Sequence, residues 1–323
     1  MKQFWKELYI AVVLGLLVPG IILWIAAGFI QPREGKTPIP GATSAAQPTR
    51  GEALSVAVLC EGVVTDMDLQ DYLTGVVLAE MPVSFEPEAL KAQAVVARTY
   101  TMKACRQGRK HETAAVCADS TCCQGYIAVE DYLAKGGKQE GVDKIRRAVE
   151  DTYGYVLIYD GALIEATYFS CSGGFTEDAV AVWGTDVPYL RATSSPGEEK
   201  ATHYTDTVTF SKKEFQDKLG RSLAGNPKSW FGVVTYTTGG GVNTMEVGGR
   251  VYKGTELRTL LGLRSTAFSV ASDTDSVTIT TRGFGHRVGM SQYGADAMAV
   301  SGSSFEEILA YYYQGTSLVI MEN

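Results

Sequence analysis

Glu80 is the residue whose position is best suited to acid chemistry. It stands in the segment Leu78-Ala79-Glu80-Met81-Pro82, at the end of one predicted helix and shortly before the next. A carboxyl group at the junction of two buried helices loses solvation of its charged form, and the negative end of the helix dipole acts in the same direction, so its pKa tends to rise. A carboxyl that stays protonated near neutral pH can donate a proton to a leaving oxygen. The position therefore predicts a general acid of the kind that cleaves sugar polymers; the alternative is an ordinary solvated or salt-bridged carboxylate.

The number of acids bears on the type of cleavage. Hydrolysis of a glycosidic bond needs a second carboxylate as nucleophile or base. Nothing in the spacing selects one from the candidates, which are Glu86, Glu88, Glu165 and Glu177. A reaction in which a hydroxyl of the sugar itself attacks needs only one acid, so a lone Glu80 fits an intramolecular transglycosylation better.

A possible metal site follows the second predicted helix. His111, Cys117 and Cys123 are separated by five residues at each step, in a polar stretch of the chain. Imidazole and thiolate ligands on a short loop suit tetrahedral zinc, although the spacing is not that of a zinc finger. The alternatives are a disulfide or free thiols, and Cys122 complicates the assignment. The fourth ligand stays open between water, Cys122 and a distant side chain.

Two glycine-containing segments carry the predicted substrate contacts. Residues 168–174 follow a predicted strand, and their glycines let the backbone approach a ligand. Residues 285–293 contain one of three histidines in the chain and lead into a helix, whose first N–H groups can bind hydroxyls or an anion. The predicted substrate-binding residues are Tyr168, Ser172, Gly173, His286, Ser291, Gln292 and Tyr293. For residues 168–174 the alternative is an ordinary glycine turn around a buried tyrosine. For residues 285–293 it is a histidine that only shapes its loop. Trp183 could equally stack on a sugar or lie in the core.

Helices must position Glu80. Leu69, Tyr72, Leu73, Val76 and Val77 have helical spacing, which predicts a helix from about Asp68 that ends at the acid. A second helix is predicted to begin at Pro87, because proline is favoured in the first turn. Its predicted buried face comprises Leu90, Ala94, Ala97 and Thr101.

Strands and further helices complete a mixed α+β domain. A first strand is predicted from about Leu54 through Val64, and a hairpin is predicted over 155–169 around Asp160-Gly161. Capping boxes at 211–214 and 303–306 predict two helices, a third is predicted over 255–261, and a strand over 277–281. Residues 205–270 are predicted to form a smaller second lobe.

The net charge of −7 argues against a nucleic-acid partner.

The N-terminus predicts membrane attachment. Residues 1–30 are predicted to form a cytoplasmic tip and a transmembrane signal anchor, since 8–30 are apolar, uncharged and long enough to span a bilayer. Lysines before this run favour a cytoplasmic N-terminus. A cleaved signal peptide is the alternative, but no small-residue cleavage site follows. Residues 31–52, rich in proline, predict a flexible linker, and 53–323 a catalytic domain outside the cytoplasm.

Three separated blocks resemble the stage II sporulation protein D family. The first comprises Ala79-Glu80-Met81-Pro82, Glu88-Ala89-Leu90-Lys91-Ala92-Gln93-Ala94 and Ala97-Arg98-Thr99-Tyr100. The second comprises Ser170-Cys171-Ser172-Gly173-Gly174, Thr176-Glu177 and Val182-Trp183. The third is Gly283-Phe284-Gly285-His286-Arg287-Val288-Gly289-Met290-Ser291-Gln292-Tyr293-Gly294-Ala295. They occur in the family's order and span roughly residues 53–315.

The resemblance implies a function. It implies that Glu80 is the catalytic acid of a lytic transglycosylase that cleaves the bond between N-acetylmuramic acid and N-acetylglucosamine in peptidoglycan, on strands already stripped of peptides. It also implies a structural zinc on His111, Cys117 and Cys123, and work during forespore engulfment with an amidase and a membrane scaffold protein. Two alternatives stay open: a non-catalytic glycan-binding scaffold, and a zinc hydrolase that uses the same metal ligands.

Overall fold

A computed structural model describes residues 54–107 and 110–321. The elements of the first half are β1 (Ser55–Cys60), β2 (Val63–Asp68), α1 (Leu69–Glu80), α2 (Pro87–Arg106), β3 (Val116–Cys117), α3 (Val129–Ala134), α4 (Gln139–Asp151), β4 (Tyr155–Tyr159), β5 (Ala162–Leu163), β6 (Tyr168–Phe169) and α5 (Ala179–Trp183). Those of the second half are β7 (Thr205–Ser211), α6 (Lys212–Leu219), β8 (Phe231–Tyr236), β9 (Val242–Val247), β10 (Arg250–Lys253), α7 (Gly254–Leu261), β11 (Phe268–Ser272), β12 (Ser276–Arg282), β13 (Met290–Ser291), α8 (Gln292–Val300), α9 (Phe305–Tyr312) and β14 (Ser317–Ile320). Helices and several small, mostly antiparallel sheets occur together in the described chain, in agreement with the predicted mixed α+β class.

The predicted membrane anchor, residues 8–30, and the linker, 31–52, lie outside the described residues. Within 54–107 and 110–321, no helix combines the length and the apolar composition that crossing a bilayer demands.

The two helices that flank Glu80 begin where the sequence predicts. The Asp68 side chain accepts hydrogen bonds from the backbone N–H groups of Gln70 (2.8 Å) and Asp71 (3.2 Å) and so caps α1. Pro87 occupies the first turn of α2. The predicted buried face of α2 is confirmed, but almost the whole of the helix from Ala89 to Thr99 is buried. Its alanines allow close packing on several sides. Helix α2 is therefore the central helix of the main core, which is the hydrophobic cluster that it forms with α1, α4, α9 and their neighbours.

Two strand predictions need correction. The predicted first strand is a hairpin of β1 and β2, because Glu61 and Gly62 have positive φ values of 48° and 85° and form a tight turn. The hairpin around Asp160-Gly161 is present, but β5 ends at Leu163 and does not reach residue 169. The chain then starts β6, which pairs in parallel with β13 and places Tyr168 opposite Met290. This pairing brings the two glycine-containing segments together.

A second hydrophobic core lies in residues 205–282, which are called the lobe below. The sheet of β11, β12 and β7 and the sheet of β10, β9 and β8 pack with α6 and α7 around Phe215, Trp230 and Tyr252. The predicted capping box of α6 is present, with Gly220 ending the helix in the left-handed conformation. Because β12 pairs with β7 along its length and adds Val277 and Ile279 to this core, the core extends past residue 270.

The capping box of the last helix lies one residue later than predicted. Ser304, not Ser303, caps α9, and its partner is Glu307, not Glu306. The Ser304 hydroxyl accepts from the N–H of Glu307 at 3.4 Å, and Glu307 accepts from the N–H of Ser304 at 3.0 Å. Adjacent serines and adjacent glutamates offer two registers, and packing of Phe305 into the core selects the second.

Candidate active site at Glu80

Glu80 is the last residue of α1 and is half-buried. Its Oε1 accepts a hydrogen bond from the backbone N–H of Gly125 at 2.6 Å. A Cβ at residue 125 would lie 2.9 Å from that oxygen, so a larger residue there would displace the Glu80 carboxylate. Burial raises the pKa of Glu80, and hydrogen bonds from Gly125, Tyr168 and Gln292 oppose that rise. The setting favours a carboxyl that can hold a proton and whose ionised form has donors beside it.

A cavity of about 660 Å³ opens in front of Glu80. This volume falls within the roughly 300–1,000 Å³ of typical ligand sites. The residues that line it include Tyr100, Thr121, Cys123, Tyr168, Phe169, Ser170, Arg258, Phe284, His286 and Gln292. Among these described lining residues, Glu80 is the one carboxylic acid. The other acids considered from sequence, Glu86, Glu88, Glu165 and Glu177, do not line this cavity.

Tyr168 reaches the cavity from β6. Its hydroxyl lies 3.3 Å from the side-chain oxygen of Gln124 and also within hydrogen-bond reach of the Glu80 carboxylate, and it can donate its one proton to either. Burial raises its pKa well above the ordinary value, and the neighbouring Glu80 adds to the rise. Tyr168 therefore remains a neutral phenol and can donate a hydrogen bond at any working pH.

His286 lies in the same cavity because Gly285 lets its loop pass against Phe169. Gly285 has φ of 120°, and a Cβ there would lie 2.7 Å from the Cβ of Phe169. Nδ1 of His286 accepts from the N–H of Val288 at 3.1 Å, and the ring also hydrogen bonds to the backbone of Tyr168. Burial lowers the pKa of His286 to about 4. The imidazole is neutral with both nitrogens engaged, which makes it a poor proton acceptor.

Ser172 and Ser291 are not brought to the cavity. Both are completely buried, and both donate hydroxyl hydrogen bonds to the carboxylate of Glu198, Ser172 at 2.8 Å and Ser291 at 2.5 Å. Glu198 is itself buried and also accepts from the hydroxyl of Ser195 at 2.6 Å and from the backbone N–H of Gly173 at 3.0 Å. A buried carboxylate requires such donors, so these serines support the loops and do not line the cavity.

Gly173 and Tyr293 also have structural surroundings. A Cβ on Gly173 would lie 2.7 Å from the backbone of Arg282, so this glycine allows β12 to pass close to the segment. Tyr293 packs edge-on against Phe85, with ring centroids 4.9 Å apart. Of the predicted substrate-binding residues, the structure brings Tyr168, His286 and Gln292 together around Glu80 and leaves the other four outside the cavity.

Three cavity features had no signal in the sequence. The Gly125 N–H is a backbone group on a loop, and Gln124 positions Tyr168 through one hydrogen bond. Arg258 belongs to α7 in the lobe, far along the chain from Glu80, and reaches the cavity only through the tertiary fold. The nearest sequence signal for Arg258 was the prediction of its helix.

Trp183 is half exposed and lies beside His286, with ring centroids 5.4 Å apart, at the edge of the site.

Four side chains next to the cavity could hold a metal ion. The ligand atoms of His111, Cys117, Cys122 and Cys123 all lie within 4.8 Å of one another. Nε2 of His111 is 3.4 Å from Sγ of Cys123 and 3.9 Å from Sγ of Cys122. All six cysteines of the chain are free thiols, so no disulfide competes for these sulfurs. The structure thus adds Cys122 to the three predicted ligands, and one nitrogen with three sulfurs fits a tetrahedral zinc ion.

Known proteins resemble this chain along most of its length. A family profile described as "Stage II sporulation protein" matches residues 61–159. Stage II sporulation protein D of Bacillus subtilis (strain 168) is 37% identical over 98% of this chain and 96% of its own length, and that of Bacillus amyloliquefaciens is 40% identical over 85% and 82%. The "Amidase enhancer" of Bacillus subtilis (strain 168) is 32% identical over 76% of this chain but 40% of its own length. Identity of this extent shows that the chain belongs to the stage II sporulation protein D family.

Proposed function

We propose that the chain is a lytic transglycosylase that cleaves peptidoglycan glycan strands between N-acetylmuramic acid and N-acetylglucosamine during sporulation. The observation that carries the proposal is a cavity whose described lining holds one carboxylic acid, Glu80, with burial raising the pKa of that acid. A retaining or inverting hydrolase would need a second carboxyl group about 5–10 Å from the first. The names of the relatives, a sporulation protein and an amidase enhancer, support a role in the sporulation cell wall.

The proposed reaction uses Glu80 twice. Protonated Glu80 donates its proton to the glycosidic oxygen, and the bond from that oxygen to C1 of the muramic acid residue breaks. The C6 hydroxyl oxygen of the same sugar then bonds to C1, and its proton passes to the ionised carboxylate of Glu80. The products are a 1,6-anhydro end and a new free 4-hydroxyl, no water is consumed, and Glu80 is protonated again.

The neighbours of Glu80 fit this cycle. The Gly125 N–H and the donors of Tyr168 and Gln292 stabilise the carboxylate that exists between the two proton transfers. The hydroxyl proton returns to Glu80 and not to His286, since both ring nitrogens of His286 are engaged and burial lowers its pKa to about 4. His286 instead shapes the cavity wall with Phe169 and Trp183.

A change in stability follows from the raised pKa of Glu80. The pKa of Glu80 is higher in the folded chain than in the unfolded chain. The contribution of Glu80 to stability is therefore complete at pH values below its pKa in the unfolded chain. This contribution is lost as the pH rises through its pKa in the folded chain. Glu80→Gln removes this loss and keeps an acceptor for Gly125. We expect the variant to match the wild type in Tm at pH 4 and to exceed it at pH 8, as measured by scanning calorimetry. A variant that is less stable at pH 8 than the wild type would contradict the assignment.

We also propose a structural zinc ion on His111, Cys117, Cys122 and Cys123. The metal would fix the loop that ends at Gly125, and this loop supplies the hydrogen bond to Glu80 and lines the cavity with Thr121 and Cys123. Removing zinc with a chelator is expected to lower Tm and activity together, and readdition of zinc to restore both. A chelator that stops cleavage but leaves Tm unchanged would favour the zinc hydrolase instead. As a control, Cys105→Ser, which changes an exposed thiol outside the cluster, should respond to the chelator and to zinc as the wild type does.

The proposed setting of the enzyme is the outer face of the membrane. Residues 8–30 would anchor the chain as a single-pass protein and 31–52 would tether the folded part, outside the cytoplasm where peptidoglycan lies. A reaction on strands stripped of peptides requires an amidase to act first. An amidase and a membrane scaffold protein of the engulfment machinery are the proposed partners, and no nucleic acid is expected.

Size-exclusion analysis of denuded glycan strands tests the proposal. Incubation with the purified full-length chain is expected to shorten the strands progressively with time. Strands that bind and co-sediment with the protein but keep their length would favour the alternative, a non-catalytic peptidoglycan-binding scaffold.

A further inference from the structure

Arg258 is a basic side chain in the cavity of Glu80 for which the proposed reaction has no role so far. It projects from α7 of the lobe and is half-buried among cavity residues that lie outside the lobe, including His286 and Phe284. The lobe therefore contributes a cation to a site whose acid comes from α1. Apart from Glu80, the described side chains that line the cavity carry no acid.

The guanidinium of Arg258 has no counter-ion in the described part of the chain. No carboxylate of residues 54–107 or 110–321 forms an ion pair with it, whereas Arg250, on the strand just before α7, pairs with Glu256 at 3.3 Å. Burial alone lowers the pKa of Arg258, with no acid opposing the shift, and its charge in turn helps to lower the pKa of His286. A partly desolvated charge without a partner is costly, and such a group is commonly kept because a ligand supplies the opposite charge.

The proposed substrate offers one anion near its scissile bond. N-acetylmuramic acid carries a lactyl group that ends in a carboxylate, and in peptide-bearing strands this carboxylate is converted to an amide. A planar guanidinium binds a carboxylate through two parallel charge-assisted hydrogen bonds, which an amide cannot reproduce. A bound carboxylate would also neutralise Arg258 while positive charge develops on the sugar ring.

We propose that Arg258 binds the free lactyl carboxylate of the muramic acid residue whose bond Glu80 cleaves, and that this contact makes the enzyme select strands from which the peptide has been removed. The inference rests on the proposed function for its substrate. The lobe then takes part in substrate selection, because α7 carries the group that detects whether the carboxylate is free.

The test compares two versions of one substrate. Denuded strands are used as such or after their lactyl carboxylates have been converted to primary amides with carbodiimide and ammonia. The wild type is expected to cleave the free-carboxylate strands ~10–100-fold more efficiently, mostly through KM, as the loss of a charge-assisted pair predicts. Arg258→Gln is expected to lose this preference, because it slows cleavage of the free-carboxylate strands far more than cleavage of the amidated strands, and Arg258→Lys is expected to recover part of it.

Controls separate this inference from the proposed function. Arg250→Gln, at an exposed lobe arginine outside the cavity, should keep the preference, and the Tm of each variant shows that it is folded. A wild type that cleaves both substrates equally, or an Arg258→Gln variant that slows both equally, overturns the role of Arg258 but leaves the transglycosylase intact. If the wild type cleaves neither, the proposed function fails, and calorimetric binding of the two strands still decides whether Arg258 discriminates between carboxylate and amide.

Discussion

Replacement of Glu80 by glutamine is expected to lower the rate of glycan-strand cleavage by about 10²–10⁴-fold, the usual contribution of a general acid. Glutamine keeps the size of the side chain and an oxygen that can accept from Gly125, but it has no proton of suitable acidity to give to the leaving oxygen. The hydrogen bond at 2.6 Å that fixes the side chain can therefore remain while the chemistry stops.

The rate of strand shortening measures this effect, with Glu86→Gln as the matched control. Glu86 is an exposed glutamate at the start of α2 whose side chain makes no contact with the cavity. The control variant should retain the wild-type rate. Activity of Glu80→Gln within a few-fold of the wild type would remove Glu80 from the role of the acid, and equal loss in both variants would point to a general effect of charge.

Replacement of Glu177 by alanine is expected to reduce the free energy of unfolding by about 3–5 kcal/mol, as removal of one partner of a buried ion pair commonly does. Glu177 and Arg287 are 1% and 2% exposed, and Oε1 of Glu177 lies 3.1 Å from Nη1 of Arg287. The same oxygen accepts from the hydroxyl of Thr237 at 2.7 Å and the N–H of Gly241 at 3.0 Å. The variant would leave a buried guanidinium without its counter-ion and would remove one of the two acceptors of the Thr237 hydroxyl and of the Gly241 N–H.

Hydrogen bonds from the lobe reach the same carboxylate, so the loss has a second consequence. Glu177 follows the segment that contains Ser172, whereas Thr237 and Gly241 belong to the lobe. Loosening this contact should also weaken the placement of Arg258 in the cavity. Urea unfolding measures the loss of stability, with Asp217→Ala as the control at the exposed Lys213–Asp217 pair, where only a small loss is expected. Equal small losses in both variants would contradict this account of Glu177.

The sequence predicted the parts of the site that depend on local patterns. The start of α1 near Asp68, the proline at the start of α2 and the position of Glu80 between them are local signals, and the structure reproduces them. The glycine-bracketed loop around His286 also placed that residue at the cavity. Each of these features depends on residues close together in the chain.

The remaining features depend on contacts between distant segments. Ser172 and Ser291 look like substrate ligands in sequence, but Glu198, which nothing local distinguishes, turns both hydroxyls into the interior. Arg258 reaches the cavity because the lobe packs beside the main core, and no motif near residue 258 indicates this. Cys122 and Cys123 are equivalent in sequence, and only the folded loop shows that both sulfurs lie near His111.

Mass spectrometry of the cleaved ends tests the central claim most directly. Denuded strands would be digested by the wild-type chain in water enriched in ¹⁸O, with Glu80→Gln as the blank. The account predicts 1,6-anhydro-muramic acid ends that lack the mass of one water and carry no ¹⁸O, formed by the wild type and not by the variant. Reducing ends that carry ¹⁸O would show that water is the attacking group, and the enzyme would then be a hydrolase that needs a second catalytic group beside Glu80.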